Sequence, residues 1–293
     1  AALGAGAPSA RQPVAWTERR SANGDRPDPL ARRQAHELGV LVLHVRLDVG
    51  DDIPPHLGRR HKHAQPPLRR VDEFDDFISD LDSFVKRSKK AEPNVPVFVL
   101  GHSMGGAIAT GYALDHQSDI AGLVLSAPAL ATDAGGGQKA GAHFASALFP
   151  GAGVAALPID KFSRSPGVIA DAKKDPLVDL SDVPARTIAG LLDTMDRIAL
   201  NRAKINVPVL DMHGKIDEIT LPSGSKSFVQ GIASKDKTLW MCQKLVHDLL
   251  HEPEGTDIAE GVTRWLEGLE CSLVARRGPT CRRTTTSQRS SKT

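Results

Sequence analysis

Ser103 lies in the run VFVLGHSMGGAIA (97–109), one hydroxyl between glycines. A β-branched apolar run precedes it and an Ala-rich run follows, so the spacing predicts a strand, a sharp turn and a helix. Such a turn strains the serine backbone and lifts its hydroxyl clear of the sheet. Gly101 and Gly105 leave room for the crossing chain, and Gly106 adds a second small position. The new helix points unpaired N–H groups at the site, so the backbone N–H of Met104 is placed to hold a carbonyl oxygen as it gains negative charge. His102 is expected to line or support the site without titrating in the chemistry.

A serine hydroxyl needs a base, and the base needs an orienting acid. The chain order expected on this kind of sheet is Ser, then Asp or Glu, then His. VPVLDMHGKIDEIT (207–220) supplies Asp217 in the loop past an apolar strand; Asp211 lies nearer the strand, and Glu218 is the next competitor. LVHDLLHEPEG (245–255) offers His247 and His251. His247 directly follows the apolar run, where functional groups gather at the carboxyl ends of strands. His251, one helical turn on, reads as a cap or surface residue. The expected constellation is Ser103, Asp217 and His247.

The elements that must position these residues are legible in outline. GVLVLHVRL (39–47), VPVFVL (95–100), IAGLVLSAP (120–128), VPVLDMHG (207–214) and TLWMCQKLV (238–246) read as buried strands. VDEFDDFISDLDSFVKR (71–87) spaces Phe74, Phe77, Ile78, Leu81, Phe84 and Val85 along one helical stripe, with acids at its start and bases at its end. IAEGVTRWLEGL (258–269) closes the pattern as an amphipathic helix. Strands alternating with helices predict an α/β fold, a mostly parallel central sheet with helices on both faces. Residues 1–36 read as irregular, 37–128 and 207–269 as the core, 129–206 as a helical cap insertion without a strand, and 270–293 as a disordered basic tail.

Composition narrows the function classes. The chain has 293 residues, 40% hydrophobic and 25% charged, which suits one large domain with an insertion. A net charge of +2 and 4% aromatics give little for nucleic acid to bind or stack on. The HKH cluster (61–63) lacks a carboxylate or Cys at ligand spacing and reads as a solvated surface. Cys242, Cys271 and Cys281 form no CxxC pair, no disulfide framework and no zinc site, which fits a reduced cytoplasm. The amino-terminal stretch lacks the charged and apolar regions of a signal peptide, and no apolar run reaches the ~18 residues of a membrane span.

GHSMGGAIA, HGKIDEIT and HDLLHEPEG, with RVDEFDDFISDLDSFV, LSAPALA, KDPLV and DKTL, together resemble the monoacylglycerol lipase branch of the α/β-hydrolase superfamily, the lysophospholipase-like branch of bacteria. The resemblance runs from Val71 to Leu269. It implies the α/β-hydrolase fold, a triad of Ser103, Asp217 and His247, and a cap that receives an acyl chain, with HFASALFPGAGVAAL (143–157) fitting either an acyl tunnel or plain packing. It further implies hydrolysis of monoacylglycerols without metal or organic cofactor, peripheral membrane contact through the cap, and neither a nucleic-acid nor an obligate protein partner. Lysophospholipase, general carboxylesterase, or an impaired scaffold with a binding role are the alternatives. Upstream of Val71 the HGxGEH-like loop of the family has no counterpart at 18–27, so the second oxyanion donor is unassigned.

Overall fold

The computed structural model describes residues 40–43, 73–91, 93, 95–175, 178 and 180–275. The irregular amino-terminal segment, the HKH cluster, the expected location of the second oxyanion donor and the tail beyond Ala275 lie outside them; residues 270–275, expected to open a disordered tail, instead continue the last helix, Gly255–Ala275. Five strands form one parallel sheet in the order β1 (Val40–Leu43), β2 (Phe98–His102), β3 (Gly122–Ser126), β6 (Val209–Gly214) and β7 (Lys237–Cys242). Registers such as Leu43↔Gly101, His102↔Ser126, Ser126↔Met212 and Gly214↔Cys242 bring the carboxyl ends of all five strands to one rim. The α/β-hydrolase class expected from the sequence is the architecture observed.

Strand alternation divides the core between the two faces. Val99, Leu123, Leu125 and Val209 point into one cluster; Phe98, Leu100, Val124, Leu210 and Met212 point into the other. The first face is covered by α1 (Asp75–Ala91), α2 (Met104–His116) and α6 (Pro222–Gly231). α1 forms where the sequence pattern puts it: Ile78, Leu81 and Val85 are buried, Asp75 and Asp76 start the helix, and Lys89 and Lys90 end it in register with its dipole. α2 is buried over most of its circumference, which its Gly and Ala content permits. The second face is covered by α7 (Gly255–Ala275), whose Val262, Leu266 and Leu269 pack on the sheet while Trp265 sets its ring edge-on to Phe98 at 6.5 Å.

Residues between β3 and β6 hold α3 (Gly136–Leu148), α4 (Pro166–Lys174) and α5 (Ala185–Asn201). α5 packs against α2 and α3. Contrary to the strandless expectation, β4 (Gly153–Ala155) pairs antiparallel with β5 (Val183–Pro184). A two-residue strand is too short to show a period of two, and its pairing is held by partners thirty residues away. The last sheet strand also stops at Cys242, short of the expected Val246: Gln243 and Lys244 turn, and Leu245 N–H returns to the Cys242 carbonyl.

Candidate active site

Ser103 sits between β2 and α2 with φ 54° and ψ −123°, a conformation that costs an L-residue on the order of 1–3 kcal/mol. Its backbone is pinned on both sides. Its N–H donates to the Ser126 carbonyl (3.0 Å), and its own carbonyl accepts the N–H groups of Gly106 and Ala129, each at 2.9 Å. The glycines are required by space: a Cβ on Gly101 would collide with the Gly105 carbonyl, and one on Gly106 would sit 2.5 Å from the Pro128 side chain. Met104 is the first helical residue, so the helix ladder leaves its N–H unused. Nδ1–H of His102 donates to the same Ser126 carbonyl (3.0 Å), and its ring lies 4.7 Å from that of His247.

Asp217 and His247 arrive on separate loops past β6 and β7. The two loops are packed so closely that a Cβ on Gly214 would run into the Val246 and Leu245 carbonyls. Asp217 folds its own turn: Oδ1 accepts the N–H groups of Ile219 (2.7 Å) and Thr220 (3.1 Å). Oδ2 faces His247 Nδ1 at 2.8 Å, the Thr220 hydroxyl at 2.9 Å and His213 Nε2 at 3.2 Å. The side chains of Asp217, His213 and His247 are wholly buried. Burial alone would push the Asp217 carboxyl up. Hydrogen bonds from His213 and His247, the charge of His247 and the Ile219 N–H outweigh it and hold the group well below the ordinary carboxylate range.

A carboxylate only accepts, so His247 must carry its proton on Nδ1. Its Nε2 then keeps a lone pair, and that buried atom has no hydrogen-bond partner among the described residues. The arrangement is chemically a base with a fixed tautomer, its ring 4.7 Å from that of His102, the residue next to the strained serine at the helix N-terminus. The competing candidates separate cleanly. Asp211 is fully buried inside β6, neither carboxylate oxygen having a hydrogen-bond partner among the described residues; burial, against the opposing influence of Ser225 and His213, pushes it up to about 7. Glu218 is exposed and pairs with Lys161. His251 is exposed and bonds the Asp248 carboxylate at 2.8 Å.

Several contacts at this site are invisible in sequence periodicity. Phe162, between β4 and α4, sets its ring edge-on to His247 at 5.1 Å, and its carbonyl accepts the Asp248 N–H at 2.8 Å. Two residues on, the Arg164 N–H donates to Glu252 Oε1 (2.7 Å), and its guanidinium binds the Glu252 and Glu254 carboxylates. The Glu252 side chain is wholly buried. Thr220, with its hydroxyl on Asp217 Oδ2, was signalled only by its place three residues after the aspartate, the spacing of an Asp-led turn. Phe144, Leu148, Phe149 and Val154 of the expected acyl tunnel or packing layer are instead exposed.

Donor atoms of Asp82, His116 and Asp119 come within 4.8 Å of one another at the far end of α2. Lys86 and Lys89 already sit 2.6 Å from these carboxylates, roughly 20 Å along the helix from Ser103.

A family model described as serine aminopeptidase, S33, matches residues 61–254, which span the serine, the aspartate and the histidine. The chain belongs to the serine aminopeptidase S33 family of α/β-hydrolases. Among its relatives, a monoacylglycerol lipase of Mycolicibacterium smegmatis is 32% identical over 208 residues, 70% of this chain and 74% of the relative. The crystal structure of a monoacylglycerol lipase from Paleococcus ferrophilus superposes with a TM-score of 0.62 at 27% identity, covering 67% of this chain and 76% of that one. A soluble variant of monoglyceride lipase from Saccharomyces cerevisiae, in complex with a substrate analog, gives 0.61 at 25% identity over 69% and 71%. The S33 chain is thus a serine hydrolase acting on carboxylic esters.

Proposed function

We propose that the chain hydrolyses monoacylglycerols to glycerol and fatty acid through an acyl-enzyme on Ser103. One observation carries this reading: the 2.8 Å contact between Asp217 Oδ2 and His247 Nδ1, which leaves the Nε2 lone pair for the serine proton. Ser103 Oγ attacks the ester carbonyl while His247 Nε2 takes its proton. The carbonyl oxygen becomes an oxyanion against the Met104 N–H. His247 returns the proton to the departing glycerol oxygen, and Ser103 is left esterified. A water molecule then gives a proton to Nε2 and attacks the acyl carbon. Collapse of the second oxyanion releases the fatty acid as Ser103 recovers its proton. Asp217 stays ionised throughout and supports the imidazolium.

The segment between β3 and β6 is assigned as the cap, because it supplies Phe162 directly against His247. Its exposed Phe144, Leu148, Phe149 and Val154 support peripheral contact with lipid surfaces, where monoglycerides partition. No helix among the described residues is long and apolar enough to cross a membrane. A reducing cytoplasm is the proposed setting.

A fluorophosphonate probe should label the full chain and fail to label Ser103→Ala, and monoglyceride hydrolysis should fall to background in Ser103→Ala and His247→Ala. Undiminished hydrolysis by Ser103→Ala would overturn the assignment.

A further inference from the structure

Two imidazoles, not one, converge on the same oxygen of Asp217. His247 approaches through Nδ1 at 2.8 Å and His213 through Nε2 at 3.2 Å. His213 has its other nitrogen engaged as well, with Nδ1 2.7 Å from the hydroxyl of Ser225, a fully buried residue on α6. The proton positions follow by elimination. His213 Nε2 faces the Asp217 carboxylate, the Thr220 carbonyl at 3.3 Å and the Thr220 hydroxyl at 3.3 Å. Carboxylate and carbonyl can only accept, so Nε2 carries the hydrogen. With that hydrogen on Nε2, Nδ1 faces the Ser225 hydroxyl, which also lies against the buried Asp211 carboxyl. Both nitrogens of His213 are committed, whereas His247 keeps one free.

Resting on the triad reading above, we propose that His213 is a positioning residue of the reaction: it directs its Nε2–H at Asp217 Oδ2 (3.2 Å), shared with the Thr220 carbonyl, and helps hold that carboxylate ionised and turned toward His247. The Thr220 hydroxyl cannot replace it. Thr220 has one proton and faces two acceptors, Asp217 Oδ2 at 2.9 Å and the Ala127 carbonyl at 3.0 Å. Without His213, Oδ1 stays held by its two backbone N–H groups, but Oδ2 keeps only His247 Nδ1 and a shared Thr220 proton, so the side of the carboxylate that orients His247 is less firmly set. The inference assigns no proton transfer to His213, because neither of its nitrogens faces substrate.

The test compares His213→Leu, His213→Gln and Ser225→Ala in the full chain, with Ser103→Ala alongside. Leu fills the buried volume but donates nothing. Gln carries an amide nitrogen the same number of bonds from Cα as the imidazole Nε2. For His213→Leu, kcat on a soluble monoglyceride should drop about 10- to 100-fold with KM unchanged, the worth of one hydrogen bond to a charged group. His213→Gln should recover to within about fivefold of the unsubstituted chain. Histidine-selective 15N spectra should show His213 protonated on Nε2 alone, and Ser225→Ala should mix its tautomers. Full kcat in folded His213→Leu would overturn the inference while an inactive Ser103→Ala left the triad standing; an active Ser103→Ala would instead sink the triad reading itself. If His213→Leu fails to fold, the spectra decide: a proton on Nδ1 of His213 in the unsubstituted chain refutes the proposal.

Discussion

Asp217→Asn is the substitution whose outcome the geometry fixes most tightly. The carboxylate has two distinct sides. Oδ1 accepts two backbone N–H groups, at 2.7 and 3.1 Å, so an asparagine must keep its carbonyl oxygen there. Its amide nitrogen is then forced into the place of Oδ2, where His247 Nδ1–H, His213 Nε2–H and the Thr220 hydroxyl already point inward. Donor meets donor. His247 can escape only by moving its proton to Nε2, which turns its lone pair away from Ser103 and abolishes the base. A triad serine with the wrong tautomer loses on the order of 10⁴-fold in turnover, about 5 kcal/mol of transition-state stabilisation. Steady-state hydrolysis with burst titration of the serine should show kcat down by that factor and KM little changed. The same carboxyl is held below its ordinary value of 3.8 in the fold. Its ionised form therefore stabilises the native state fully above about pH 4, and that contribution is lost as pH falls further. Melting curves of parent and variant should accordingly converge below that pH. Turnover within tenfold of the parent, or a His247 proton still on Nδ1, would refute the reasoning.

Two further outcomes follow from buried carboxylates. Arg164→Met leaves the Glu252 side chain buried with only the Arg164 backbone N–H from that segment, and should destabilise by about 3 kcal/mol in urea titration, while Glu252→Gln costs less; equal midpoints for Arg164→Met and parent would show the pair to be inconsequential. Asp211, pushed up to about 7 from 3.8, opposes folding increasingly as pH rises across that interval, because the unfolded chain releases its proton first. Asp211→Asn should therefore gain on the parent by up to about 1.4 kcal/mol per pH unit between 4 and 7, and parallel stability curves would contradict this.

What the sequence made legible was mostly local. The strand–turn–helix around Ser103 announced itself because every residue from Val97 to Ala109 is constrained by its immediate neighbours: apolar runs on both sides, and glycines where Gly105 and Pro128 approach. Strands β2, β3 and β6 read as short apolar runs because both their faces are covered. The contacts that escaped the reading span long stretches of chain. Nothing near Phe162 or Arg164 hints at residues 85 to 90 positions further on, and the first glutamate in HEPE, Glu252, looks like any surface acid until the fold buries it. His213 was legible as part of a motif but not as a donor, since its role depends on Ser225 from the next helix and on the Asp217 turn together. The β4–β5 ribbon escaped for the same reason: two residues have no period.

The join made by Phe162, Arg164 and Glu252 has a bearing on how this scaffold can be re-engineered. It links a segment that looks interchangeable, the excursion between β3 and β6, to the loop that carries His247. The excursion is therefore not a modular attachment. A graft from another hydrolase that matched only the acyl-facing surface would strip His247 of its edge-on neighbour and strand a carboxylate in a dry interior. Residues 162–164 have to travel with the recipient rather than the donor, and the usable splice points lie on either side of them.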